Sequence, residues 1–82
     1  MKNVLITGGS RGIGKALVYE FSKKGYRVFL NYNSSQTEAE EISADTGAVI
    51  VKADISKSDE VKKMADYIHD NYGRIDILIN NA

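Results

Sequence analysis

One stretch of the chain has residue types and spacing suited to holding phosphate: Thr7-Gly8-Gly9-Ser10-Arg11-Gly12-Ile13-Gly14. It follows the apolar run Val4-Leu5-Ile6 and opens an amphipathic segment. Strand, glycine turn and helix are the elements this order predicts. A turn without Cβ atoms lets backbone N–H groups approach an anion closely. The helix N-terminus behind it adds the positive end of a dipole. The expected guest is the pyrophosphate of a dinucleotide. Two other readings share these residues. The glycines can simply make a tight turn. Alternatively, Gly9 to Gly14 with Lys15 fits the start of a nucleoside-triphosphate loop, with Asp54 as its acidic partner. Ala16 counts against the latter, because that loop needs a Ser or Thr hydroxyl there for Mg²⁺.

The elements that must position this turn alternate in period. Ile13, Ala16, Leu17 and Phe21 recur at helical spacing, and Gly25 stops the helix. Arg27 to Tyr32 is a second strand. Ser35 with Glu38 forms a predicted capping box for a weakly amphipathic helix through Ile42, ended by Gly47. Ala48 to Val51 is a third strand. A helix from Ser58 places Val61, Met64, Ala65, Ile68 and Tyr72 on one face, and Gly73 closes it. Ile75 to Ile79 is a fourth strand, apolar enough for the middle of a sheet. Left at an edge, it would be a pairing hazard. The order βαβαβαβ predicts an α/β fold with parallel strands, right-handed crossovers and helices on both faces.

Composition excludes several function classes. The 82 residues are 43% hydrophobic and 27% charged, as in an ordinary globular domain. Eleven basic residues balance eleven acidic ones, so no long-range field recruits nucleic acid or an anionic membrane. The sequence has no cysteine, which fits a reducing cytoplasm and removes thiolate metal sites. Met1-Lys2-Asn3 runs directly into the first strand, so no signal peptide is expected. No apolar run approaches the roughly 18 residues of a membrane span. His69 is the single histidine and lies beside the apolar face of its helix, so no metal site is expected. The glutamates 38, 40 and 41 read as a solvated helix face.

The spacing T-G-x-x-x-G-x-G, with Asn80-Asn81-Ala82 after the fourth strand, resembles the short-chain dehydrogenase/reductase family along the whole chain. Its 3-oxoacyl-[acyl-carrier-protein] reductase branch carries a similar Gly-Ser-Arg-Gly-Ile-Gly turn. The resemblance implies a Rossmann-type doubly wound parallel sheet. Residues 1–82 would be its N-terminal, dinucleotide-binding half, truncated after the fourth strand. It also implies an NADP(H)-dependent oxidoreductase that reduces a carbonyl to an alcohol in the full-length protein. The expected substrate is a small molecule or an acyl-carrier-linked group such as a 3-oxoacyl thioester, and a homo-oligomer is expected. The family's catalytic serine, tyrosine and lysine would lie beyond the equivalent of Ala82, so this chain alone should be inactive. Tyr19 and Lys23 mimic the Tyr-x-x-x-Lys spacing, but they sit on the first helix, which runs away from the pyrophosphate. The alternative is a non-catalytic nucleotide-binding module complete at 82 residues.

Carried over residue by residue, the resemblance assigns the cofactor contacts. Gly8, Gly9, Ser10, Arg11, Gly12, Ile13 and Gly14 would surround the pyrophosphate. An NAD site usually has an acid at the tip of the second strand, bonding the ribose 2′-hydroxyl. Here Tyr32 holds that place between Asn31 and Asn33, and no carboxylate is there to repel a 2′-phosphate. Arg11 would hold that phosphate, so NADP(H) is preferred and NAD(H) is the alternative. Asp54 and Ile55 would meet the adenine, although Asp54 can instead cap the turn before Ser56. Asn81 would lie beside the adenine ribose, Ala82 would also belong to the cofactor site, and Asn80 would brace the neighbouring strand.

Overall fold

The computed structural model describes residues 1–81. Seven elements follow one another: β1 (Asn3–Thr7), α1 (Gly12–Lys23), β2 (Arg27–Tyr32), α2 (Gln36–Thr46), β3 (Val49–Lys52), α3 (Ser58–Tyr72) and β4 (Ile77–Asn80). The four strands form one parallel sheet in the order β3-β2-β1-β4. The predicted α/β, Rossmann-type half is therefore the observed fold.

Alternation along the central strands divides the core. Val4, Ile6, Val28, Leu30 and Tyr32 face one side with Val18 of α1 and Ala39 and Ile42 of α2. Leu5 and Phe29 face the other side, against Met64 and Ile68 of α3. Tyr72 closes that second core with its ring 4.9 Å from Phe29, edge to face. The carboxyl-terminal end of α3 is tied to β1 through Asn3. Its side-chain amide donates to the carbonyls of Arg74 (2.8 Å) and Tyr72 (3.3 Å). The Asn3 N–H donates to Asp76 Oδ2 at 2.8 Å, and Asp76 N–H returns a bond to the Asn3 carbonyl at 2.9 Å. That loop geometry uses Ile75 and Asp76, so β4 starts at Ile77 rather than at the predicted Ile75.

Two further local expectations are corrected. The buried stripe of α1 is Gly14 and Val18, not one that includes Ile13 and Ala16. Ile13 is 74% exposed, because the close approach of Gly14 to the preceding turn sets the rotation of the helix. The predicted capping box of α2 does not form. The Ser35 side chain makes no cap hydrogen bond, and Glu38 reaches instead toward Arg11. The fourth strand lies, as expected for these residues, at an edge of the sheet, paired only with β1 among the described residues, and Leu78 is 63% exposed. His69 is exposed beside Asp70, and Tyr67 sits at the rim of the packed face, 44% exposed.

The two kinds of apolar position should separate in a urea titration. Phe29→Ala removes a fully buried ring and is expected to cost about 3–5 kcal/mol, whereas Ile13→Ala should change stability by less than about 0.5 kcal/mol. Asp76 supplies a pH signature. The bond from the Asn3 N–H, helped by Arg74, holds its carboxyl below the usual carboxylate range. The unfolded chain binds that proton more readily, so the stabilisation is complete above the ordinary value near 4. It fades as the pH falls through that value toward the lowered one. Asp76→Asn should flatten this acid limb in melts recorded from neutral pH downward.

Candidate functional site

At the carboxyl ends of the strands, β1 passes into a turn with little spare volume. Gly12 has φ +56°, a left-handed conformation, and no atom lies within 4 Å of where its Cβ would be. Its backbone therefore faces open space at the start of α1. Gly14 is the opposite case. A Cβ there would sit 2.5 Å from the Gly8 carbonyl oxygen and 2.6 Å from Asn81 Nδ2. Gly9 is buried, and its N–H donates to the Asn31 carbonyl at 3.2 Å, fixing the turn to β2. The end of β4 closes the other side. Asn81 Nδ2 donates to the Gly8 carbonyl at 3.2 Å, and Asn81 N–H donates to Thr7 Oγ1 at 3.0 Å. The Thr7 hydroxyl in turn lies 3.2 Å from Asn80 Oδ1 and 3.4 Å from the Ile79 carbonyl. Asn80 thus braces the adjacent strand, as expected.

A cleft of about 320 Å³ opens beside this turn, over the ends of β2 and β3. Gly8, Ser10, Arg11, Tyr32, Asn33, Asp54 and Ile55 line it together, so seven of the predicted residues converge. Asn31, Ser34, Ser35 and Ala53 complete the wall. Gly9 and Gly14 stand behind it as packing positions. Gly12 and the exposed Ile13 open α1 next to it. Asn81 borders Gly8 rather than the cleft, and Ala82 lies outside the described residues.

The cleft's polar groups differ in how firmly they are held. Asn31 is 2% exposed, and its amide donates to the carbonyls of Ala53 (3.1 Å) and Val51 (3.3 Å), joining the tips of β2 and β3. Asp54 Oδ1 accepts from the Ser56 hydroxyl (2.7 Å) and N–H (3.0 Å). These two bonds hold its carboxyl below the usual range. Asp54 therefore does cap the turn before Ser56, and it also lines the cleft. The Tyr32 ring belongs to the α1–α2 core and is 8% exposed. Arg11 is the only cationic residue in the lining, and its guanidinium lies 3.9 Å from Glu38 in an exposed pair. The donor set of backbone amides, hydroxyls, carboxamides and one guanidinium suits a phosphorylated nucleotide, and no carboxylate stands at the tip of β2.

Tyr19 and Lys23 lie elsewhere, on a groove between α1 and α2. The Tyr19 hydroxyl donates to Asp45 at 2.8 Å, which raises its pKa, the wrong direction for a proton donor near neutrality. Two structurally important residues are named in the sequence reading without a role of their own. Thr7 and Asn31 are buried polar side chains at strand ends, and a polar residue closing an apolar run is the signal that marks them.

The family model described as short chain dehydrogenase matches residues 2–82. The chain belongs to the short-chain dehydrogenase family. It is 44% identical to the short-chain dehydrogenase/reductase homolog YusS of Bacillus subtilis, over 99% of this chain and 79% of that protein. It is 36% identical to the 3-oxoacyl-[acyl-carrier-protein] reductase FabG of Staphylococcus epidermidis, over 99% of this chain and 35% of the reductase. A crystal structure of a short chain dehydrogenase from Bacillus anthracis superimposes with a TM-score of 0.91 at 38% identity, covering 99% of this chain and 35% of that one. The family is one of oxidoreductases that bind NAD(P). No described helix is long and apolar enough to cross a membrane.

The contact at Gly14 yields a direct test. Gly14→Ala forces backbone and Asn81 apart and is expected to cost about 1–3 kcal/mol, read as a lowered urea midpoint. Cofactor binding should fall with it, because Gly8 and the start of α1 cannot both keep their places.

Proposed function

We propose that this chain binds the adenosine and pyrophosphate part of NADP(H), for a reductase that converts a carbonyl to an alcohol. The observation that carries the reading is the cleft itself. It brings the glycine turn, Arg11 and the tips of β2 and β3 to one place, with no acid beside Tyr32. The bound cofactor supplies hydride. The chain's own residues bind and orient it. Backbone N–H groups at Gly12 and Ile13 face the pyrophosphate, and Ile55 and Asp54 flank the adenine. Arg11 meets the 2′-phosphate together with the hydroxyls of Ser34 and Ser35. A 3-oxoacyl thioester is the favoured substrate, supported by the likeness to the acyl-carrier-protein reductase. A homo-oligomeric assembly and a cytoplasmic compartment belong to the same reading and rest on the family resemblance alone.

A second reading has a specific observation behind it. The chain spans 79% of YusS but only 35% of the acyl-carrier-protein reductase. A short relative is what a nucleotide-binding module without catalysis would resemble. NADPH binding combined with no turnover of a 3-oxoacyl thioester would favour it for this chain.

The cofactor assignment is tested by titrating NADPH and NADH. NADPH is expected to bind more tightly, and Arg11→Ala to narrow the gap by about tenfold, the scale of one charge-assisted hydrogen-bonded contact. Equal affinities in the unmodified chain would overturn the NADP assignment.

A further inference from the structure

We infer that Glu38 tunes the preference for a 2′-phosphorylated nucleotide by competing with that phosphate for Arg11. The inference rests on the nucleotide reading of the cleft and adds a residue that does not line it. Glu38 lies in the first turn of α2, and its Oε1 is 3.9 Å from Arg11 Nη2. The local alternative for this carboxylate, a capping box with Ser35, is not taken up. The helix dipole of α2 favours an acid at this position whether or not Arg11 is near. Glu38 is thus a fixed negative charge beside the one cation of the cleft.

The balance of the competition follows from the charges. A phosphate monoester carries about −1.5 to −2 at neutral pH and offers three acceptor oxygens, against one carboxylate. Arg11 and Glu38 have side chains 73% and 48% exposed, so their pair is weak and yields to the phosphate. Exposed pairs of this type contribute up to about 1 kcal/mol, which corresponds to a change in affinity of about two- to fivefold. Glu38 therefore lowers affinity for the 2′-phosphate without abolishing it. A nucleotide lacking that phosphate leaves the pair intact and does not sense Glu38. Glu38 is in this sense a positioning residue that acts through Arg11. Its neighbours on α2 differ: Glu40 accepts a 3.5 Å bond from Gln36, and Glu41 makes no ion pair among the described residues.

The experiment compares adenosine 2′,5′-bisphosphate with adenosine 5′-monophosphate by calorimetry on the 82-residue chain. Glu38→Gln is expected to tighten the bisphosphate about two- to fivefold and to leave the monophosphate unchanged. Glu41→Gln, the same change of net charge, should move neither. In an Arg11→Ala background, Glu38→Gln should have no effect, since the competition needs the guanidinium. An unchanged bisphosphate affinity in Glu38→Gln overturns the inference while leaving the nucleotide reading standing. So does an equal gain in Glu41→Gln or in the Arg11→Ala background. Failure of the unmodified chain to bind the bisphosphate, or to prefer it over the monophosphate, overturns the reading on which the inference rests.

Discussion

The site depends on a contact that leaves no room for a single carbon atom. Gly14, in the first turn of α1, lies so close to the Gly8 carbonyl and to Asn81 that a methyl group would overlap both. That contact sets how α1 is rotated, and so which residues it buries. It also sets how the glycine turn is presented at its mouth. Asn81 reaches this point only because β4 is paired with β1 in register, Thr7 opposite Asn80. The Thr7 hydroxyl gathers Ile79, Asn80 and Asn81 around one atom. A turn that reads as local in sequence is therefore completed by residues from the far end of the chain.

This explains which features were legible in the sequence. The strands were, because β1 and β2 alternate between two buried faces and β3 follows its own apolar run. The crossover order was as well, since parallel strands joined by helices leave few topologies. The buried face of α1 was not. Ile13 and Ala16 suggested a stripe one position away from the true one, and the deciding residue, Gly14, has no side chain for a periodicity argument to count. The capping box at Ser35 met its sequence pattern, yet no side-chain cap bond forms, and Glu38 lies 3.9 Å from a guanidinium of another turn. For Asp54 the capping reading describes the molecule: capping occupies one carboxylate oxygen, and the residue also borders the cleft. Asn31 was noticed only as a neighbour of Tyr32, although its amide is what holds the tips of β2 and β3 together.

The polar groups of the cleft fall into two sets with different physical jobs. Asn31, Asp54 and the backbone of Gly9 spend their hydrogen bonds inside the fold and make a rigid wall. Arg11 is only loosely held, on the exposed side. Rigid walls reduce the ordering cost of binding, and a loosely held cation can leave its partner for a better one. The chain as a whole is electrically neutral, so no distant field assists capture of an anion. In the proposed reading, affinity for phosphate comes from the amides of the turn, the dipole of α1, one guanidinium and the hydroxyls of Ser34 and Ser35. With so few contributors, a single nearby carboxylate is expected to have a measurable share in that reading.

The topology explains why these contributors meet at this end of the sheet. From β1 the chain moves outward through β2 to β3, with α1 and α2 on one face, and then returns by α3 on the other face to place β4 on the opposite side of β1. The direction of winding reverses at β1, and ligands of open α/β sheets lie outside the carboxyl ends of strands at such a point. Two depressions flank this reversal. One is the polar cleft. The other is a more apolar groove of about 300 Å³ on the α3 side, bordered by Leu5, Val61, Met64, Leu78 and Asn80. Ile55 borders both. Because successive residues of β1 point to opposite faces, the same short strand that launches the glycine turn also supplies Leu5 to the apolar side. A five-residue strand can serve both depressions only if it is central and parallel to both neighbours, which is the place this sequence gives it.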